Sequence, residues 1–136
     1  MERITVKAKV KASVNKVWDL WSDPKHIVKW NAASEEWHTP RAENDLRVGG
    51  KFLSRMEAKD GSFGFDFGGT YDEVVPQKRI AYTLDDGRKV EVDFKEKNGQ
   101  TEIVSIFDPE TQNPTEMQRE GWQSILDSFK RYADNL

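Results

Sequence analysis

From Ile4 to Val10, apolar and polar residues alternate: Ile4, Val6, Ala8 and Val10 against Thr5, Lys7 and Lys9. A period of two puts the apolar set on one face, so this segment is predicted to be a half-buried strand. The period then lengthens. Val14, Val17, Trp18 and Trp21 recur at helical spacing behind Ser13, a residue suited to cap a helix. Asp23-Pro24 stops that helix and opens a second short one, with Asp23 as cap and Pro24 in the first turn. Ile27, Val28 and Trp30 supply its buried side.

From Trp37 the period returns to two. Asp60-Gly61, Asp86-Gly87 and Asn98-Gly99 punctuate this stretch, each between alternating runs. These dipeptides accept the positive φ of tight hairpin turns, so three hairpins and an antiparallel meander are expected. The predicted strands run over 36–48, 51–59, 62–75, 78–84, 88–97 and 100–108, with Pro40 marking a break or an edge position. Phe63, Phe65, Phe67, Gly69 and Tyr71 share one face, opposite Gly64, Asp66, Gly68, Thr70 and Asp72. Val90, Val92 and Phe94 oppose Glu91, Asp93 and Lys95 in the same way. The chain ends in a helix opened by Asn113-Pro114, with capping-box spacing from Thr115 to Gln118. Trp122, Ile125, Leu126, Phe129 and Ala133 form its apolar stripe. Gly121 interrupts it, which points to close backbone approach or to free space. One apolar sheet face and one amphipathic helix to cover it give a two-layer α+β domain.

Composition adds limits. The 136 residues fit one domain, 1–136. A formal net charge of -3, with the signs interleaved, gives no electrostatic reason to expect nucleic acid as a partner. No apolar run reaches the length of a signal peptide or a membrane span, so a cytoplasmic protein that uses no membrane is expected. The absence of cysteine excludes disulfides, thiol nucleophiles and thiolate metal sites.

The usual catalytic signatures are missing. No serine sits in a G-x-S-x-G elbow. The two histidines, His26 and His38, lack the spacing of a helical metal pair. Asp85-Asp86-Gly87 is followed by no calcium loop, and neither Gly49-Gly50 nor Gly68-Gly69 forms a phosphate loop; bends in the sheet explain those pairs. No metal, no cofactor and no catalytic residue is expected.

Four stretches carry a family likeness: VWDLWSDPKHIVKWN (Val17 to Asn31), RVGGKF (Arg47 to Phe52), GGTYDEVVP (Gly68 to Pro76) and EGWQSILDSFKRYADNL (Glu120 to Leu136). With the order of elements, they resemble the helix-grip fold of the START-like, Bet v 1-like superfamily. Within it, the chain resembles bacterial homologues of the heat-shock protein 90 ATPase activator. The resemblance implies a curved sheet of about seven strands wrapped on the long helix, with a pocket between them for a small apolar ligand. The activator has a separate N-terminal domain, whereas this chain begins at the first strand, so a stand-alone START-like unit is expected, monomeric or weakly dimeric. On this reading Trp18, Trp30, Trp37, His38, Phe52, Met56, Phe63, Phe65, Phe67, Tyr71, Tyr82, Met117, Gly121 and Ile125 are the candidate ligand-binding residues. If Phe52 and Met56 point inward, Ser54 joins them and Arg55 points out. Two alternatives stand beside a non-enzymatic binder. One is a co-chaperone-like interaction module. The other is a cyclase or isomerase using His38 with a buried carboxylate.

Overall fold

Strand β1 (Ile4–Val10) buries every second residue, as its alternation requires. In this computed structural model, which describes residues 2–136, it is followed by helices α1 (Val14–Ser22) and α2 (Pro24–Trp30). Strands β2 (Trp37–Asn44), β3 (Lys51–Ala58), β4 (Gly64–Val75), β5 (Arg79–Leu84), β6 (Lys89–Lys97) and β7 (Gln100–Phe107) come next, and helix α3 (Thr115–Asp134) closes the chain. The strands make one antiparallel sheet in the order β1-β7-β6-β5-β4-β3-β2, curled into a half-barrel. No helix among the described residues is long and apolar enough to cross a membrane.

Local chemistry accounts for most of these elements. Ser13 accepts a hydrogen bond from the Lys16 amide, and Asp23 does the same for Lys25, with Pro24 in the first turn of α2. All three expected hairpins form. At Asn98-Gly99 both residues have positive φ, 56° and 77°, which this dipeptide accepts at little cost. A fourth turn, between β4 and β5, puts Gln77 at φ 65°, where the sequence offers no comparable signal. Strand β2 ends at Asn44 rather than continuing to Val48: the Arg47 amide bonds to the Asp45 carbonyl and that of Gly50 to the Arg47 carbonyl, turning the chain out of the sheet. Pro40 lies on this edge strand, between His38 and Arg41, where the register with β3 shifts.

The predicted capping box of α3 does not form. Pro114 occupies the cap position without a side-chain bond. The Gln118 side chain instead accepts from the Glu110 amide at 2.9 Å and donates to the carbonyls of Glu110 (3.0 Å) and Asn113 (2.8 Å). It reaches back past its own helix start because the preceding loop folds over it.

The geometry of α3 explains why the core is lopsided. β1 is a sheet edge, and α3 lies along it. Gln123 pairs with both the amide and the carbonyl of Lys7, Lys130 donates to the Lys9 carbonyl, and Asp134 accepts from the Lys11 amide. Edge groups that could recruit another chain are thereby satisfied. Leu126, Phe129 and Ala133 join Ile4, Val6, Val92, Phe94 and Ile103 in the buried core, with Trp18 and Trp30 from the short helices. Seven strands span roughly 29 Å at the usual strand spacing. A single helix is only about 10 Å across. Helix α3 is committed to the β1 side, and α2 lies against β2. The concave surface of β3, β4 and β5 between them is left without close cover.

Candidate functional site

That uncovered concavity is a cavity of about 470 Å³. One wall is sheet: Phe52, Ser54 and Met56 on β3, Phe65, Phe67 and Tyr71 on β4, Ile80 and Tyr82 on β5, Ser105 on β7. The opposite wall is helix: Trp21, Ile27 and Trp30 from α1 and α2, Trp122, Ile125 and Leu126 from α3. Aromatic rings dominate. Phe52 sits at the centre of a ring cluster, 4.8 Å from Tyr82, 5.3 Å from Tyr71 and 6.0 Å from Phe67 by centroid. Phe67 in turn meets Trp122 edge-on at 6.0 Å, joining sheet to helix across the space. Trp122 is fixed by stacking on Phe107 at 3.9 Å. The bulge between Tyr71 and Glu73 lets β4 present Tyr71 and then Val74 to the interior. Gly69 permits the close strand approach beside them, since a Cβ there would stand 2.5 Å from the Thr83 carbonyl oxygen.

Polar groups are few and placed. Asn44 donates to the Ser22 carbonyl at 2.7 Å and accepts from the Tyr71 hydroxyl, tying β2 to the end of α1 and to β4. Burial pushes the Tyr71 phenol well above its ordinary range, against the opposing pull of Asn44. Burial raises Tyr82 in the same direction, so both phenols stay protonated at neutral pH. At the α3 end the lining includes Arg88, Glu110, Asn113 and Gln118. Partial desolvation raises the Glu110 carboxyl, but the amides of Asn113 and Gln112 more than offset it, and Glu110 titrates below the usual range. Among the described residues, no group of three or more His, Asp or Glu is arranged to hold a metal.

The candidate residues divide. Trp30, Trp37, Phe52, Met56, Phe65, Phe67, Tyr71, Tyr82 and Ile125 line the cavity together. Ser54 also faces inward, and Arg55 points out to Glu57 and Asp66. Five lie elsewhere. Trp18 faces the core, edge-on to Phe94 at 5.4 Å. His38 follows a cavity residue on a strand and so takes the opposite face, 3.8 Å from Glu57 at the surface. Phe63 precedes the start of β4 and is 61% exposed; Met117, on the outer side of the first turn of α3, is 58% exposed. Gly121 does not line the space either, and a Cβ on it would meet nothing within 4 Å, so no backbone presses on it. Gly121→Ala is therefore expected to stabilise the fold by about 0.5–1 kcal/mol, read as a higher urea midpoint at unchanged slope.

Asn31, Asn44, Arg88, Glu110 and Gln118 are lining residues that periodicity did not find. Most sit at element ends or in turns, where neither period applies. Gln118 did carry a signal, its capping spacing, but that signal pointed to a different bond.

The comparisons agree with this architecture. The solved solution structure of an AHSA1-like protein from Aeromonas hydrophila superimposes with a TM-score of 0.92 at 45% identity, covering 98% of this chain and 92% of that one. A protein from Cytophaga hutchinsonii is 53% identical at a TM-score of 0.85, with the same coverage of 98% and 92%. The Aha1 dimer from Colwellia psychrerythraea, at 15% identity and a TM-score of 0.77 over 98% of this chain and 97% of that one, shares the fold. No curated protein matches significantly. The match to the family described as Activator of Hsp90 ATPase homolog 1-like protein spans residues 11–134, and the chain belongs to that family.

Proposed function

We propose that this protein is a non-enzymatic binder of a small apolar ligand, held between α3 and the concave sheet. The observation that carries the reading is the space itself. Interiors are normally filled to crystal-like density. Here about 470 Å³ ringed by aromatic side chains stays open, within the range that suits small molecules. Holding rather than transforming the ligand fits the residues at hand, since neither histidine lines the cavity. The His38 acid–base pair considered for a cyclase or isomerase has no buried carboxylate: its neighbour Glu57 is itself 38% exposed at the side chain.

N-phenyl-1-naphthylamine, a neutral probe that fluoresces in apolar surroundings, tests the proposal. Saturable binding is expected. Ser54→Phe, which places a ring in the cavity, is expected to weaken it on the order of tenfold. Arg79→Ala, on the convex face, should leave it unchanged. Binding insensitive to Ser54→Phe would remove the cavity from the account.

Family membership favours a second reading, stimulation of an Hsp90-type ATPase. Chaperone turnover measured with saturating protein decides it, and no stimulation would end it.

A further inference from the structure

Three hydroxyls set the chemistry of the ligand more narrowly. Ser54 on β3, Tyr82 on β5 and Ser105 on β7 line the cavity and are 6%, 9% and 5% exposed. Among the described residues, none of the three hydroxyls has a hydrogen-bond partner. They are not sealed inside the protein either: among the described residues, the one side-chain polar atom buried without a partner is Ser22 Oγ, which is not on the cavity lining. Buried polar groups are nearly always bonded. Three unbonded hydroxyls on three strands, all opening onto one space, are groups with unused capacity directed at whatever fills it. A pure hydrocarbon would leave them unpaired, and unpaired buried hydroxyls are costly.

Charge narrows the class again. Among the described residues Arg88 is the one cation on the lining, and its Nε donates to Asp86 at 2.8 Å. Two carboxylates, Glu43 and Glu110, line the same cavity. The site therefore offers an anion no net positive surroundings to offset the loss of its water.

We infer that the ligand is a neutral molecule with an apolar, ring-accommodating body and at least one hydroxyl or carbonyl that bonds to the hydroxyls of Ser54, Tyr82 or Ser105. This rests on the ligand-binding reading above and specifies its chemistry. As a phenol, Tyr82 can donate or accept, and burial keeps its proton in place.

Three probes with one ring system separate the possibilities: naphthalene, 2-naphthol and 2-naphthoate, titrated at pH 7 against tryptophan fluorescence. Trp21, Trp30, Trp37 and Trp122 report from the cavity wall. The expected order is 2-naphthol first, about fivefold tighter than naphthalene for one net hydrogen bond, with 2-naphthoate weakest. At least one of Tyr82→Phe, Ser54→Ala and Ser105→Ala should bring 2-naphthol down to the affinity of naphthalene while leaving naphthalene itself unchanged. Naphthalene binding with no advantage for 2-naphthol would overturn the hydrogen-bonding class and leave the cavity reading standing. Tightest binding by 2-naphthoate would overturn the neutral class. If none of the three binds, and N-phenyl-1-naphthylamine does not bind, both the inference and the reading beneath it fall.

Discussion

Phe129→Ala is expected to destabilise the fold by about 3–5 kcal/mol, the usual cost of removing a fully buried ring. Phe129 is 0% exposed. Its ring meets Trp21 at 5.0 Å and Trp30 at 4.9 Å, both edge-on, and those two rings stack on each other at 5.0 Å. The substitution therefore removes a side chain that packs against both short helices. Little can collapse into the gap, because Trp30 is anchored through its indole N–H to the Leu20 carbonyl at 2.9 Å. Domains of this kind have only about 5–15 kcal/mol of stability in total, so the loss is a large share of it. Urea denaturation reads it as a fall in midpoint. Met117→Ala, on the exposed side of the same helix, should stay within about 0.5 kcal/mol. Equal costs for the two would mean that α3 is not seated on this face.

Gln118→Leu has the second largest expected effect and acts on the rim of the cavity. The volume is nearly kept, but all three side-chain bonds to the backbone of Glu110 and Asn113 are lost. At about 1 kcal/mol net for each, the expected cost is about 2–3 kcal/mol. The loss is also local. The Glu110 carboxylate accepts from the amides of Gln112 and Asn113, and Gln118 ties this loop to the first turn of α3. Thermal unfolding measures the total, and amide hydrogen exchange locates it. Glu110, Gln112 and Asn113 should lose protection first, while β6 and β7 keep theirs. Uniform loss of protection across the sheet would show that Gln118 supports the whole fold rather than this loop.

These two residues also mark how far the sequence could be read. Phe129 was legible because it belongs to a stripe of period 3.6, and burial follows from period. The alternation on β1, β4 and β6 was legible for the same reason, and the hairpin dipeptides were legible because only certain residues accept positive φ. Pro40 was legible as an edge signal because it cannot donate to a ladder. The part of the site lying on regular strands followed from parity: Phe52, Ser54 and Met56 turn in, and Arg55 turns out. What escaped lay where periods end. Phe63 has the parity of a cavity residue, but it stands ahead of the strand, past the reach of any covering element. His38 neighbours a cavity residue in sequence, which on a strand places it on the opposite face. Gln118 and Arg88 depend on loop paths, which no local period encodes. The cavity itself was an expectation from family likeness; its physical cause, a narrow helix committed to one edge of a wide sheet, is visible only once β1 is seen to be that edge.

The most direct test of ligand binding is an amide and indole NMR titration of the intact protein with N-phenyl-1-naphthylamine. The account predicts saturable shifts at Ser54, Tyr82 and Ser105 and at the indoles of Trp21, Trp30, Trp37 and Trp122, with Arg79 and Lys95 on the convex face silent. Absence of saturable shifts, or shifts confined to exposed Phe63 and Met117, would contradict it.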